Sequence, residues 1–172
     1  MKIYLGADHR GFELKEKIKQ WLSDWGHQYE DMGALEYNKD DDYTDFVSKV
    51  AQKVSEDPEN NKGIVLGMSG QGEAMVANKF KGVRAAVFYG PPFVFWTSFL
   101  AIPFLANENW KSVYEKIIKL SREHNDANIL SLGASLVYKH SMKKIIKLWL
   151  ETKFSGEERH VRRINKIKEL EK

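Results

Sequence analysis

The sequence predicts an α/β fold, a parallel sheet covered by helices. Short β-branched or apolar runs alternate along the chain with longer segments of helical period, the order expected when each strand is followed by a crossover helix. A buried strand, a glycine loop and a helix also follow one another directly between residues 63 and 79. The length, 172 residues, suits a single domain over 1–172 with a substantial core.

Ile3-Tyr4-Leu5-Gly6-Ala7 reads as the first strand. Phe12, Leu14, Ile18, Trp21 and Leu22 then recur at helical spacing with Lys and Glu between them, and Gly26 closes that helix. A second strand fits Gln28 to Met32. After the acidic turn Asp40-Asp41-Asp42, the residues Phe46, Val47, Val50, Ala51 and Val54 mark another amphipathic helix. Gly63-Ile64-Val65-Leu66-Gly67 is a buried third strand, feeding Met68-Ser69-Gly70-Gln71-Gly72-Glu73 and a helical stretch to about Lys79. Val83 to Phe88 supplies a fourth strand, Ile129 to Leu132 a fifth, and Ser141 to Thr152 a helix rich in apolar residues and Lys. In the tail, Val161, Ile164, Ile167 and Leu170 recur at helical spacing, which predicts a docked terminal helix over about 157–171.

The run Pro91 to Ala106 concentrates aromatic and aliphatic residues without alternation or charge. It is too short, and too broken by Pro103, to span a bilayer. Two readings stand: packing in the core or at a subunit interface, and a lid or membrane-surface patch.

Composition narrows the chemistry. A hydrophobic share of 42% and a charged share of 30% exclude a disordered chain. The absence of Cys excludes a disulfide framework, Cys-ligated zinc, iron–sulfur clusters and a thiol nucleophile, so catalysis would fall to an acid, base, hydroxyl or amine. A net charge of +3 is too slight to argue for nucleic acid. The opening residues enter a strand without the apolar region of a signal peptide, so the expected location is cytoplasmic.

Three constellations are candidates for a site. Gly70 and Gly72 let successive backbone N–H groups converge on an anion at the start of a helix, with the Ser69 hydroxyl and the Glu73 carboxylate in the same turn. Such turns are also purely structural in many α/β proteins, and Glu73 could simply complement the helix dipole. Asp8-His9-Arg10 follows the first strand at the edge where open α/β sheets place ligands, although Asp8 also suits a helix cap. Arg159 and Arg163 lie four residues apart around His160, as a fork for phosphate or as a solvated basic face. No His and carboxylate group has helix-spaced metal-ligand geometry, so no metal is expected.

Taken together, the segments Gly6 to Lys15, Asp41-Asp42-Tyr43, Gly67 to Lys79, Gly82 to Ala86, Arg122 to Asn128, and Arg159-His160 with Arg162-Arg163 resemble one family, ribose-5-phosphate isomerase type B and the galactose-6-phosphate isomerase subunits. The resemblance implies a Rossmann-like five-stranded parallel sheet flanked by helices on both faces. It implies a homodimer with active sites shared between subunits and with no metal or organic cofactor. The slight charge and the short apolar run lead to no expected nucleic-acid or membrane partner, and an insertion after the fourth strand could add a further interface in a higher oligomer. The implied reaction is aldose–ketose isomerisation of a small phosphorylated sugar through an enediolate, ribose 5-phosphate and ribulose 5-phosphate first among them. Many members place a Cys base immediately before the glycine loop, where this chain has Leu66. Ser69-Gly70-Gln71-Gly72-Glu73 is similar instead to a branch with a Glu in the loop, which makes Glu73 the expected base, with Gly70, Gly72 and Ser69 around the developing charge. The family implies that His124 assists ring opening and that Asp8 and Tyr43 hold the sugar end. His9, Asn125, Arg159, His160 and Arg163 are placed by it near the chain or phosphate, the latter group meeting Glu73 from the partner subunit.

Two departures bear on the substrate. Many relatives carry a phosphate-binding Arg after the last strand, where this chain has Ser135. The chain also inserts about twenty residues from Tyr89 to about Tyr114, close to the expected site edge, with Lys111 a candidate replacement ligand. Isomerisation of a hexose or tetrose phosphate, and a noncatalytic sugar-phosphate-binding or assembly role, are the competing expectations.

Overall fold

The structure, a computed structural model, describes residues 1–89, 109–136 and 139–171. The elements are β1 (Ile3–Ala7), α1 (Phe12–Asp24), β2 (Tyr29–Asp31), α2 (Tyr43–Glu56), β3 (Lys62–Gly67), α3 (Gln71–Ala77) and β4 (Ala85–Phe88), then α4 (Asn109–Glu123), β5 (Ile129–Gly133), α5 (Lys139–Glu151) and α6 (Glu158–Lys168). All five strands join one parallel sheet in the order β2-β1-β3-β5-β4. The expected α/β architecture is therefore present. The apolar run Pro91–Ala106 lies outside the described residues.

Alternation along the strands builds two cores, because successive side chains leave opposite faces of a pleated sheet. Ile3, Leu5, Ile64, Leu66, Leu130 and Leu132 face Leu14, Ile18 and Leu22 of α1, Ile118 of α4, and Met142, Ile145, Ile146 and Trp149 of α5. On the opposite face Tyr4, Val65 and Ile129 meet Val47, Val50, Ala51 and Val54 of α2 and Ala77 of α3. Burying each of these Leu, Ile or Val side chains is worth about 1.5–3 kcal/mol against exposure, enough to select this register over a one-residue slip.

The terminal helix docks more narrowly than its apolar spacing predicts. Of the expected stripe only Ile164 is buried, together with His160, while Val161, Ile167 and Leu170 remain exposed. The reason is geometric: steps of three residues drift around a helix of 3.6 residues per turn, so residues 160 and 164 share the inward face and the stripe slides off it.

The topology also fixes where ligands fit. From β1 the chain moves outward to β2 and then returns past β1 to β3, so the connections leave β1 and β3 in opposite directions. The carboxyl ends of these two neighbours border a crevice, the usual binding position in an open parallel sheet.

Candidate active site

Asp8 and the glycine loop occupy that crevice, following β1 and β3. Asp8 is buried, and its Oδ1 accepts the backbone N–H groups of Arg10 at 2.9 Å and Gly11 at 3.1 Å. It thus closes the turn that precedes α1, whose N-cap is Gly11 with no side-chain cap bond, so Asp8 steadies the loop and is not itself the helix cap. Burial pushes its pKa up, against the pull of those two N–H groups.

Glu73 lies on the first turn of α3 and is 4% exposed. Its carboxylate sits over the Cα of Gly67, where any Cβ would collide with it, so the glycine ending β3 makes the space for the acid. Gly70 enters α3 with φ of +77°, a left-handed conformation that glycine adopts without strain. That bend is pinned by Ser131 of β5, whose hydroxyl donates to the Gly70 carbonyl at 2.6 Å. Burial pushes the Glu73 pKa up; the amides of Glu73 and Gly70 oppose it, and the nearby Asp8 charge adds to it. A carboxylate in this setting is a stronger base than one in water.

Ser69 accepts the Gln71 N–H at 3.3 Å through its Oγ, which leaves the hydroxyl hydrogen free to donate. Tyr43 opens α2 and stands against Gly72, its hydroxyl 2.7 Å from where a Cβ there would be. His9 donates its backbone N–H to Asp41 Oδ1 at 2.9 Å, and its ring Nδ1 lies 2.7 Å from the same oxygen. The structure therefore gathers Asp8, His9, Tyr43, Ser69, Gly70, Gly72 and Glu73 along one edge of the sheet, which corrects the expectation that His9 meets Glu73 from a partner subunit: it follows β1 directly and is held there by Asp41.

The remaining expected residues lie at the other edge. His124 and Asn125 follow α4 and precede β5, whose direction is parallel to β3, so they sit where the strands begin. A five-residue strand separates the two edges by about 15 Å. His160 reaches inward from α6 and stacks on His124, with ring centroids 4.2 Å apart and planes 17° from parallel. Burial and the neighbouring His124 hold the His160 pKa down. Arg159 is exposed and pairs with Glu157 at 2.7 Å; Arg163 is exposed on the same helix. Beside them a cavity of about 660 Å³ is lined by Asn78, Lys79, Arg84, Asn125 and Ile167 among others. Ser135 is exposed just past β5 at the first edge. The side chain of Lys111 lies outside what the structure describes.

Three supporting groups were not among the expected site residues. Lys15 is fully buried and paired with Asp31 and with Glu16, and Asp31 Oδ1 accepts the Gly33 N–H at 3.0 Å. Gly33 in turn pairs through its carbonyl with the Ala7 amide beside Asp8. Arg84 donates to the Asn125 and Asp126 carbonyls at 3.1 and 2.9 Å and to the Asp126 carboxylate at 2.8 Å, which fixes the loop after His124. Asp41 holds His9. The Lys15–Asp31, Arg84–Asp126 and Asp41–His9 pairings join positions far apart in sequence, and only the acidic turn around Asp41 hinted at one of them. For a cation, Asp8, His9 and Asp41 bring one ligand atom each within 4.8 Å of one another. In this group His9 Nδ1 and Asp41 Oδ1 are paired with each other, and Asp8 Oδ1 accepts the backbone N–H groups of Arg10 and Gly11.

A family model described as Ribose/Galactose Isomerase matches residues 3–94 and 112–167. The chain belongs to the ribose/galactose isomerase family. Among curated relatives, ribose-5-phosphate isomerase B of Mycobacterium tuberculosis strain H37Rv is 36% identical over 172 residues, covering 100% of this chain and 91% of the relative. Among solved structures, ribose-5-phosphate isomerase B of Mycoplasma genitalium with bound ribulose-5-phosphate superposes with a TM-score of 0.82 at 32% identity, covering 99% of this chain and 95% of that one. The enzyme of Clostridium thermocellum gives a TM-score of 0.80 at 36% identity, with 99% and 97% covered. This ribose/galactose isomerase family member thus matches its relatives over nearly its whole length, both sheet edges included.

Proposed function

We propose that the protein interconverts ribose 5-phosphate and ribulose 5-phosphate, with Glu73 as the base. The observation that carries this reading is the buried Glu73 carboxylate, seated over Gly67 with its pKa pushed up and facing the crevice that Asp8 shares. Isomerisation needs one base that takes the C2 proton of the open-chain aldose and returns it to C1, and a carboxylate at this depth suits both steps. As the proton leaves, electron density moves onto the sugar oxygens to form the enediolate. The Ser69 hydroxyl and the amides at Gly70 and Gly72 are the donors available to stabilise it. Asp8 and Tyr43 hold the sugar end of the chain.

The site of this reading is shared. Within one chain the sheet keeps His124, Asn125, Arg159, His160 and Arg163 an edge away from Glu73, so a second copy brings them to it. His124 of the partner subunit assists ring opening, and Arg159 and Arg163 of the partner subunit take the phosphate as cationic hydrogen-bond donors. Exposed Met68 and Met75, at 57% and 66%, flank Glu73, and exposed Ile167 and Leu170 flank the second cluster; covering them supports a homodimer.

Proton NMR in heavy water tests the reaction: loss of the C2 proton of ribose 5-phosphate and growth of the ketose signals are followed for wild type and Glu73→Gln. Exchange and turnover in wild type with neither in Glu73→Gln is the expected result. Turnover retained in the folded variant would remove Glu73 as base. Ser135, exposed at the position where the family resemblance leads to the expectation of an Arg, favours one second reading, a hexose or tetrose phosphate as substrate. The same experiment over a panel of aldose phosphates ranks them.

A further inference from the structure

We propose that Asp41 is a positioning residue that holds the His9 ring with Nδ1 protonated and turns its Nε2 toward the substrate. The inference deepens the isomerase reading above and rests on it for the substrate. Asp41 comes from the segment between β2 and α2, yet its Oδ1 receives both the backbone N–H of His9 at 2.9 Å and the ring Nδ1 at 2.7 Å. One oxygen thus fixes the residue twice, by its main chain and by its ring. The Asp41 side chain is 7% exposed, and its Oδ2 is buried without a hydrogen-bond partner among the described residues. A carboxylate taken this far out of water depends on the donors it has, and an ionised one only accepts. Nδ1 must therefore carry the hydrogen.

The consequence falls on the other ring nitrogen. In a neutral imidazole with hydrogen on Nδ1, Nε2 keeps its lone pair, and the bond at Nδ1 decides which nitrogen is which. Nε2 has no hydrogen-bond partner among the described residues, and the ring is 19% exposed. His9 adjoins Asp8 in the crevice, so the free nitrogen is available to accept a hydroxyl hydrogen of the open-chain sugar. Without Asp41 the ring would turn about its side-chain torsions and exchange tautomers, and the acceptor would be lost for part of the time.

The experiment reads tautomer and kinetics separately. Nitrogen-15 NMR of the His9 ring, in wild type, Asp41→Ala and Asp41→Asn, reports which nitrogen carries the hydrogen. Asp41→Asn retains an acceptor for the backbone N–H and serves as the folding control. Wild type is expected to show hydrogen on Nδ1, and Asp41→Ala a mixture of tautomers. In steady-state kinetics Asp41→Ala should lose about tenfold in kcat/KM, carried mainly by KM. The same change in a His9→Gln background should add almost nothing, because the ring it serves is absent. Hydrogen on Nε2 in wild type, or an equal loss in both backgrounds, would overturn the proposal. A wild type that neither binds nor isomerises ribose 5-phosphate, yet keeps hydrogen on Nδ1, would instead overturn the isomerase reading and the substrate-facing role of Nε2 with it.

Discussion

At the scale of single residues, burial sets the reactivity of acids and bases here, and it acts on both signs of charge. Glu73 and Asp8 are held above their ordinary carboxylate values because the ionised form is desolvated. Lys62, at the start of β3 and 6% exposed, is pushed down to about 8 by burial and then by the charge of Arg122. A lysine with a depressed folded pKa costs stability while it is protonated. That cost is complete below about pH 8 and is relieved as pH rises toward the ordinary 10.5. Lys62→Met should therefore stabilise the protein at pH 7 by about 1–2 kcal/mol, a figure reduced for solvent screening. Urea melts at pH 7 and pH 10.5 check it: the gain should shrink at the higher pH, and an equal gain at both would mean that packing rather than charge is responsible.

At the scale of elements, the strand–loop–helix unit β3–α3 depends on glycines at the end of its strand and at the entry to its helix. Gly67 leaves room for the Glu73 carboxylate, and Gly70 bends the chain so that α3 starts beneath Ser131. Gly67→Ala should push Glu73 out of its seat. Turnover is expected to fall about a hundredfold or more, since a misplaced base loses its near-attack geometry, and the overpacked turn should cost about 1–3 kcal/mol. Kinetics and thermal melts on one preparation separate the two effects. Undiminished turnover would show that the carboxylate finds another productive position. The strands were legible in the sequence as short apolar runs, and α1 and α2 by their helical spacing, because burial leaves a pattern on neighbouring residues. The terminal helix is present and docked as its spacing predicts, but its apolar stripe has period three and the helix does not, so Ile164 of that stripe is buried while Val161, Ile167 and Leu170 stay exposed.

At the scale of the whole molecule, a parallel sheet places everything that follows a strand at one edge and everything that precedes a strand at the other. Glu73 and His124 are thereby kept apart in each chain. Two identical chains related by a twofold axis would join the edges twice, giving two equivalent sites. Mixing Glu73→Gln with His124→Ala, each inactive alone, should restore activity. Random exchange of subunits makes about half the dimers mixed, each with one intact site, so about a quarter of wild-type turnover is expected. No recovery, with exchange of subunits shown independently, would place both residues in a site made by one chain.

Local chemistry was readable from the chain alone: the strand and helix periods, the glycine loop with Ser69 and Glu73 in one turn, and Asp8-His9 at the end of the first strand. Each rests on neighbours in sequence, where spacing carries the information. Asp41 on His9, Lys15 on Asp31, Arg84 on the carbonyls of Asn125 and Asp126, and His160 stacked on His124 were decided by the folded arrangement. These partners meet only after the sheet has ordered its strands as β2-β1-β3-β5-β4. A hydrogen bond or ring contact between distant positions leaves no period in the sequence, because it depends on distance in space and not on distance along the chain.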